Sequence, residues 1–484
     1  MKKVAIFIIV IFLHMPAFCQ SFDFSTPEKL GSSNTHLDIL GKYPDGILVL
    51  EHSHNTDFLE TYYDDMTLHW RRPLVLKDKN TDIQRVLILG DTVTAVYLEF
   101  VKSVTLLKIS RLNNLMLEAR STIIDTLATT TTSPLPIIRF TSSSDHKLFL
   151  IFTTPDNFYE KRKVQFYLFD NKGSLVMRKS STIGSELAEP SLIDATIDAQ
   201  GNIICLLGER AMHSSQRENY NFDKLTVSIF KNGSGLMELP ISEEKEFYGR
   251  PAMGFDIDKH RLILTGFYAH APGETGDGTF YYNVSIDSQL ISKRQLEKFS
   301  DDFLSLVTGD IPLKKDDGFD NFQIMDAVVK KDGGTILMAE SQFQTNESVA
   351  NPMYGPFGIA SSVTITYYHY DDIVLFSFDA MGNIEWRKVL HKRQETEGDN
   401  GYFSSYSMLI SNQLDFIYND NTSGQNNVAS YSIKPTGEMV RADLFNSDQK
   451  GVQLIPKYGK QVSAHELVIP SVKRNFVQFV KFTF

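Results

Sequence analysis

The stretch V-L-F-S-F-D-A-M-G-N-I-E-W-R-K-V, residues Val374–Val389, contains the element that decides the fold. Apolar side chains occupy every second position at Val374, Phe376 and Phe378, and the pattern resumes at Ile384 and Trp386. Between the two halves, Asp379 can close a turn through its side chain, and Gly382 can adopt the positive φ that completes it. The stretch therefore predicts a β-hairpin.

The same frame recurs along the chain. From Phe169 to Lys179, Asp170 and Gly173 occupy the positions that Asp379 and Gly382 occupy in the first stretch. Looser copies are found at Tyr63–Arg72, Ile109–Arg120, Phe230–Leu239, Ile286–Arg294 and Ile433–Arg441. A hairpin repeated at such spacing indicates a repeat architecture.

Between the hairpins, turns are followed by short runs that are almost entirely apolar, such as Ile47–Leu50 and Ile203–Leu207. Runs of this kind are typical of strands buried on both faces, so each repeating unit is predicted to hold four strands. First strands are expected near His36, Asp82, Leu135, Pro190, Gly249, Asn321, Tyr402 and Val452. The fold class is therefore all-β, a β-propeller of about eight four-stranded blades, with seven blades if one unit is misread.

The last unit supplies three strands, predicted at Val452–Pro456, Glu466–Ile469 and Asn475–Phe484, before the chain ends. A fourth strand from Phe22–Leu30 would complete that blade and close the ring.

The Asp379, Gly382 and Trp386 frame resembles the repeat of quinoprotein-like eight-bladed propellers. It is also similar to repeats of secreted propellers from Bacteroidetes-type bacteria and of bacterial envelope scaffolds. Two departures stand out: only two units have Trp, and the spacing from Asp to Gly is one residue shorter than in the quinoprotein repeat. In the enzymes of that family the resemblance implies pyrroloquinoline quinone, calcium and often a vicinal disulfide. We find neither a matching calcium constellation nor a second cysteine after Cys19, so we expect the fold without a cofactor.

Residues 1–19 have the features of a secretory signal peptide: Lys2 and Lys3, an apolar run from Val4 to Leu13, and small residues at Ala17 and Cys19. Cleavage would leave Gln20 first and residues 20–484 as one propeller domain. Lipidation at Cys19 is the weaker alternative, because Phe18 is bulky for the position before a lipidated cysteine. We therefore predict a protein exported to the periplasm or the cell exterior.

Composition limits the possible partners. The net charge is −11, which becomes −13 once Lys2 and Lys3 are removed, and this opposes nucleic-acid binding. Cys205 would be the single cysteine of the mature chain, so no internal disulfide can form, and its apolar surroundings predict a buried, inert thiol. No second apolar run is long enough for a membrane-spanning helix. We expect a monomer.

Three long connections between second and third strands are predicted, at Glu209–Asp223, Phe267–Phe280 and Phe343–Asp371. One helix is predicted at Leu296–Val307, within an insertion at 296–320, with Ser292 and Gln295 as a capping box. In a propeller these connections emerge on one face. Long connections are often functional.

Aromatic side chains are concentrated in these connections. Tyr combines a large apolar surface with a hydrogen-bonding tip, which suits recognition of protein or glycan, although the rings could equally pack their own loops onto the ring. The candidate ligand-binding residues are Tyr220, Tyr268, His270, Tyr281, Tyr282, Tyr354, Phe357, Tyr367, Tyr368, His369 and Tyr370.

The sequence contains no recognisable catalytic motif. His52 and His54 have the spacing of a metal pair on one strand face, but no third ligand is evident, and solvated loop histidines are the favoured interpretation. We predict a non-enzymatic binding or scaffolding propeller of the bacterial cell envelope, whose partner is an envelope protein or a glycan. The alternative is a glycan-binding or glycan-cleaving enzyme, with Glu274, Asp277, Asp371 and Asp372 as the nearest carboxylates.

Overall fold

The computed structural model describes residues 21–30, 36–52, 56–128, 135–154, 163–183, 188–211, 221–231, 236–243, 245–271, 276–308, 319–351, 361–397, 404–410, 412–420 and 426–484. Within them the strands form eight antiparallel sheets, and in each sheet four strands are hydrogen-bonded side by side. We number the sheets as blades 1 to 8, in chain order of their first strands. This is the eight-bladed propeller that the repeats predict.

The chain begins with two short strands, β1 (Ser21–Phe24) and β2 (Glu28–Lys29). Blade 1 then comprises β3 (His36–Tyr43), β4 (Gly46–His52), β5 (Phe58–Tyr62) and β6 (Leu68–Pro73). Blade 2 comprises β7 (Thr81–Leu89), β8 (Thr92–Val101), β9 (Val104–Leu112) and β10 (Glu118–Ala128). Blade 3 comprises β11 (Ile137–Ser142), β12 (Leu148–Thr154), β13 (Lys163–Asp170) and β14 (Leu175–Thr182). Blade 4 comprises β15 (Ala188–Ile197), β16 (Ile203–Ala211), β17 (Lys224–Phe230) and β18 (Leu236–Pro240).

The second half of the ring follows the same order. Blade 5 comprises β19 (Phe247–Tyr248), β20 (Ala252–Asp256), β21 (Arg261–Ala269), β22 (Gly278–Ser285) and β23 (Leu290–Lys298), followed by helix α1 (Asp301–Thr308). Blade 6 comprises β24 (Phe322–Val329), β25 (Thr335–Asn351), β26 (Ser361–Phe378), β27 (Ile384–Leu390) and β28 (Glu395–Glu397), after a 3-10 turn at Phe319–Asn321. Blade 7 comprises β29 (Ser405–Ile410), β30 (Gln413–Asp420), β31 (Asn427–Ile433) and β32 (Met439–Asn446), followed by helix α2 (Ser447–Lys450). Blade 8 follows a 3-10 turn at Pro456–Tyr458 and comprises β33 (Lys460–Ser463), β34 (Glu466–Lys473) and β35 (Phe476–Thr483).

The turn in the opening stretch has the predicted chemistry. Asp379 Oδ1 accepts hydrogen bonds from the backbone N–H groups of Met381 (2.8 Å) and Asn383 (2.9 Å). Gly382 has φ +82° and donates its N–H to the Asp379 carbonyl at 3.0 Å. A register shift follows at Phe378, so the extra turn residue is absorbed as a bulge. The repeated Asp and Gly therefore fix the β26–β27 hairpin.

The core is divided among the spaces between blades. Each cluster of buried apolar side chains draws on two neighbouring sheets, from blades 1 and 2 through to blades 7 and 8, and one more cluster joins blade 8 to blade 1. The middle strands, such as β4 and β16, are buried on both faces because a neighbouring blade covers each face. This closed series of packed sheets holds the fold together.

The N-terminal strands complete blade 8, as predicted. Strand β1 pairs with β35 from Ser21↔Thr483 to Phe24↔Val480, and β2 pairs with the other end of β35. Ser25 Oγ accepts the backbone N–H of Phe479 at 2.9 Å between the two segments. The predicted first strand at Val452–Pro456 was wrong: Leu454 makes a single bridge to Ser471, and the inner strand is β33.

The predicted helix begins later than the sequence suggested. Residues Leu290–Lys298 pair with β22 as a strand, so Ser292 does not cap a helix, and its hydroxyl instead donates to the Asn283 carbonyl at 3.2 Å. Helix α1 starts at Asp301, where Ser300 Oγ accepts the N–H of Phe303 at 3.3 Å. None of the helices in the described residues has the length and hydropathy to cross a membrane.

The predicted long loops are also shorter than expected. Phe267–Ala269 and Gly278–Phe280 belong to strands β21 and β22. In blade 6, residues 343–351 and 361–371 are not a loop but the extended ends of β25 and β26. The side chains of these two segments alternate and can pair across a ladder, which explains why the segments form strands. This extension is the main difference between blade 6 and the other blades.

Candidate functional site

A three-stranded arm extends blade 6 beyond the rest of its sheet. The ladder between β24 and β25 stops at Ser341, but the ladder between β25 and β26 continues from Gln342↔Tyr370 to Asn351↔Ser361. Strand β28 then pairs with Tyr367, Tyr368 and His369 on the far side of β26. We call residues 342–351, 361–370 and 395–397 the blade-6 arm. At about 3.4 Å per residue, its long ladder spans roughly 30 Å.

One face of the arm combines apolar and acidic side chains. Because side chains alternate between faces and paired residues share a face, this surface is set by the register. Its members are Phe343, Thr345, Glu347, Val349, Val363, Ile365, Tyr367, His369, Glu395 and Glu397. We call it the acidic face.

Apolar exposure on the acidic face increases away from the ring. At the end of the arm next to the propeller, the side-chain rings of Phe343 and His369 stack with their centroids 4.4 Å apart. Thr345 Oγ1 lies 2.8 Å from His369 Nε2. Farther out, the paired Val349 and Val363 are 41% and 51% exposed. This pair of valines is an exposed apolar surface that no other part of the described chain covers.

Negative charge borders the same apolar strip. Glu347, Glu395 and Glu397 are all exposed, and Tyr367 lies among them. Partial removal from water, and then the charge of Glu347 and Glu397, raises the pKa of the Tyr367 hydroxyl. The field around this tyrosine therefore favours a cation as neighbour.

The opposite face of the arm is polar. Gln344 pairs with Tyr368, and Asn346 pairs with Thr366, whose hydroxyl donates to Asn346 Oδ1 at 2.9 Å. The outer edge of residues 342–351 has no strand partner within the described residues. An open strand edge offers a row of backbone donors and acceptors to an added strand.

A buried ion pair anchors the base of the arm. Lys392 Nζ lies 2.7 Å from Glu340 Oε1, and their side chains are 1% and 0% exposed. Burial lowers the pKa of Lys392, against the opposing attraction of Glu340. The Lys392 ammonium also donates to the Tyr370 carbonyl at 2.7 Å, at the first residue of the arm. The ion pair thus fixes where the arm leaves the ring.

Polar contacts extend from this ion pair to blade 7. Glu340 Oε2 accepts from Ser404 Oγ at 2.7 Å, and Gln394 Nε2 donates to the Asn419 carbonyl at 2.8 Å. Asn419 Nδ2 in turn donates to the Leu454 carbonyl at 2.9 Å. The base of the arm is therefore tied to the neighbouring sheets as well as to its own.

A bulge lies where the arm meets the blade. Two residues of β26, Asp371 and Asp372, oppose Ser341 alone. Asp371 Oδ1 accepts the N–H of Gln394 at 3.2 Å, and burial raises the pKa of this carboxyl. Asp372 Oδ1 accepts the N–H of Lys392 at 3.1 Å. Both aspartates thus hold the connection between β27 and β28 in place.

The α1 connection packs over blades 5 and 6. Phe299, Phe303 and Phe319 are buried, and the rings of Phe299 and Phe319 stack at 4.3 Å. The rings of Phe299 and Phe303 contact Phe376 near the C-terminal end of β26. These aromatic side chains fill the space between two blades and are part of the core.

The structure brings four of the predicted residues together. Tyr367, Tyr368, His369 and Tyr370 lie in succession on β26 within the arm, where the first three also pair with β28. They belong to a strand and not to a loop. His369 is buried, and the tyrosines are partly exposed.

Three other predicted residues are core side chains. Tyr281 and Tyr282 lie in β22 and are fully buried, and Tyr268 in β21 is 4% exposed. The expectation that they lie on loops is corrected: these strands continue farther than predicted, and the rings pack between blades. His270 is exposed and lies 2.9 Å from Glu246 Oε2 through its Nδ1. Tyr220, Tyr354 and Phe357 lie outside the described residues.

The metal and carboxylate candidates have structural roles where the structure describes them. His52 Nδ1 lies 3.1 Å from Asp57, whose hydrogen bond raises the histidine pKa, while His54 is outside the described residues. Asp277 Oδ2 accepts the N–H of His270 at 2.8 Å, and Glu274 is not described. The described part of the chain contains no group of three metal-ligating side chains.

Several residues of the arm and of its base could not be selected from the sequence. In the sequence, Glu340 interrupts an otherwise apolar strand, and nothing distinguishes Lys392 from the lysines expected on the surface. Glu395 and Glu397 alternate around Thr396, which is a weak signal for a strand with one acidic face. What assigns them to the site is pairing between distant segments.

Comparisons with known proteins concern the fold. No protein family and no curated protein matches the chain. Among solved structures, it is similar to the eukaryotic initiation factor at 8% identity over 93% of this chain and 85% of that one, with a TM-score of 0.40. It is similar to the β-propeller domain of the Trilobed protease from Pyrococcus furiosus at 10% identity over 87% and 95%, with a TM-score of 0.35. A polysaccharide lyase matches at 10% identity over 82% and 89%, with a TM-score of 0.37. Because these identities and TM-scores are low, the architecture is assigned from the eight sheets of this chain, and no function is transferred from these proteins.

Proposed function

We propose that this chain is an exported, non-enzymatic binding propeller of the cell envelope and that its contact element is the blade-6 arm. The observation that carries the proposal is the continuation of the β25–β26 ladder by ten residue pairs beyond the blade. Beyond the residues paired with β28 the arm has only two strands, and a two-stranded ribbon on its own is marginally stable in water, so this long exposed part favours a role in contact. The signal-peptide features of residues 1–19 support a location in the cell envelope.

The chemistry of the arm favours a protein partner. The partner would present an extended segment with basic and apolar side chains to the acidic face or the open edge. Glu347, Glu395 and Glu397 would attract the basic side chains, and Val349 with Val363 would contact the apolar ones. Backbone pairing along residues 342–351 would add affinity, as in other cases of strand addition.

The test is to shorten the arm without disturbing its base. Joining Phe343 to His369 through Asn-Gly removes residues 344–368 and places a two-residue turn after a paired position. Tagged wild-type and shortened proteins are purified from the native envelope, and co-eluting proteins are quantified by mass spectrometry. We expect a stoichiometric partner with the wild type and at least a tenfold loss with the shortened chain. Equal recovery with both would refute the arm as contact element, and elution of the wild type alone would refute a protein partner and direct the work to a glycan array.

Charge is tested separately. The triple variant Glu347→Gln, Glu395→Gln, Glu397→Gln removes three exposed carboxylates from the arm. Exposed ion pairs contribute about 0.2–1 kcal/mol each, so we expect binding to weaken by about tenfold. The matched control removes three exposed carboxylates from the opposite face of the ring, by Asp45→Asn, Asp91→Asn and Asp258→Asn. The control is expected to bind like wild type.

A further inference from the structure

A cavity of about 310 Å³ opens between blades 2 and 3, on the face of the ring opposite to the arm. That face carries the turns within hairpins, including the turn between β13 and β14. The lining residues come from β8, β9 and β10 of blade 2 and from that turn of blade 3 with the strand ends beside it. Those with charged or hydroxyl side chains are Thr94, Arg111, Arg120, Thr122 and Ser174.

The cavity exists because a space filled elsewhere by an aromatic ring is left open here. Below the turn of blade 6, a Cβ on Gly382 would lie only 2.5 Å from the Tyr281 ring. Below the turn of blade 7, a Cβ on Gly437 would lie 2.9 Å from the Trp386 ring. At the equivalent Gly173, the nearest atom is Arg111 Nε at 3.6 Å. Between blades 2 and 3, therefore, a guanidinium replaces the ring.

A second arginine lies beside the first. In the ladder of blade 2, Thr94, Arg111 and Arg120 are directly opposite one another and share the face that turns towards blade 3. Like charges at directly opposed positions destabilise an antiparallel pair. Both arginines are exposed, so solvent screens part of their repulsion, and an anion held between them would offset the rest.

The described residues supply no such anion. Neither Arg111 nor Arg120 has an acidic group within 4.0 Å among the residues that the structure describes, where the ion pairs involve other arginines such as Arg178 with Asp125. The nearby Asp170 is engaged in its own turn, since its Oδ1 accepts the N–H groups of Lys172 (2.9 Å) and Ser174 (2.8 Å). No carboxylate lines the cavity.

We propose that this cavity binds a small molecule through a phosphate or carboxylate group. Arg111 and Arg120 would hold the oxyanion, because the planar guanidinium matches such groups with two parallel hydrogen bonds. The hydroxyls of Thr94, Thr122 and Ser174 offer further donors. A volume of about 310 Å³ is at the lower end of ligand cavities, so the ligand is small.

The apolar floor limits what the ligand carries besides its charge. Ile109, Ile124 and Phe169 are buried beneath the arginines. A short apolar or ring-shaped body attached to the oxyanion would fit this floor, whereas a second charge directed at it would not. This site is distinct from the arm and does not depend on the proposed function.

The test measures binding of defined anions to the mature protein by isothermal titration calorimetry. The probes are orthophosphate, acetate and benzoate at low ionic strength. Orthophosphate against acetate separates phosphate from carboxylate recognition, and acetate against benzoate detects the apolar floor. We expect at least one probe to bind with a one-to-one stoichiometry. Arg111→Gln and Arg120→Gln are each expected to weaken it by about tenfold or more, since a charge-assisted hydrogen bond is lost. The matched control, Lys147→Gln, removes a positive charge from blade 3 away from the cavity and is expected to bind like wild type.

A gain-of-contact variant tests the same idea if an arginine variant unfolds. Ser174→Glu places a carboxylate at the cavity rim, and we expect it to raise the melting temperature and abolish probe binding. The proposal is overturned if none of the three probes binds at 20 mM or below, or if binding persists in the double variant Arg111→Gln, Arg120→Gln. Lower stability of Ser174→Glu together with unchanged probe binding would also overturn it.

Discussion

Replacing Lys392 by Met is expected to reveal how strongly the ion pair at the base of the arm is coupled. Met has similar volume and no charge, so the change leaves the Glu340 carboxylate, 0% exposed, without its cation. Removing one partner of a buried pair typically costs about 3–5 kcal/mol. The Tyr370 carbonyl would also lose its 2.7 Å hydrogen bond. Against a total stability of about 5–15 kcal/mol, this is a large loss.

The measurement is urea unfolding followed by tryptophan fluorescence and circular dichroism, with limited proteolysis of the arm in parallel. The double variant Glu340→Leu, Lys392→Met removes both charges, and we expect it to cost only about 1–3 kcal/mol, from hydrogen bonds left unmade. The single variant should therefore be less stable than the double. Additive effects, or a loss below about 1 kcal/mol for Lys392→Met alone, would refute the reasoning.

Two further changes test other parts of the ring. Burial raises the pKa of Glu60 from 4.5 to about 7, although the hydrogen bond from Tyr62 and the charge of Arg71 oppose the shift. The folded state therefore holds this proton more tightly than the unfolded state does. The stability it contributes is present below pH 4.5 and is lost as the pH rises through about 7. Glu60→Gln should therefore melt like wild type at pH 4 and be about 3 kcal/mol more stable at pH 8.5, and a difference independent of pH would contradict this. Gly437→Ala places a methyl group 2.9 Å from the Trp386 ring at φ +80° and should cost about 2 kcal/mol or more by thermal melting. The control Gly451→Ala, at φ +70° with open space around it, should cost about 1 kcal/mol, and an equal loss for both would exclude the contact with Trp386 as the cause.

The architecture was accessible from the sequence because its signals are local. Asp379 and Gly382 determine a turn within five residues, and apolar runs such as Ile203–Leu207 indicate a strand that is buried on both faces. Repetition of the two signals then gave the blade count and the closing strand at Phe22–Leu30. The same locality caused the error at Leu296, where helical spacing and strand pairing competed for the same residues and pairing with β22 prevailed.

The candidate site was only partly accessible. The aromatic run Tyr367–Tyr370 was correctly singled out as unusual, but its setting was wrong, because a loop and a strand that leaves its sheet have similar composition. Tyr281 and Tyr282 show the converse error: aromatic residues mark cores as readily as surfaces, and burial depends on the next blade. Their exposure could not be obtained from the β22 segment alone.

The sequence by itself determined the repeat, since hydrophobic alternation and turn residues act over a few positions and are the same in every blade. Only the tertiary structure decided which of the residues that depart from the repeat lie next to one another. Glu340 pairs with Lys392, which lies 52 positions later in the chain. Beneath Gly173 of the next blade, the Arg111 guanidinium occupies the position that an aromatic side chain occupies beneath other turns. Such contacts depend on the register between strands and on the packing of one sheet against another. These are properties of the closed ring, which no single segment carries.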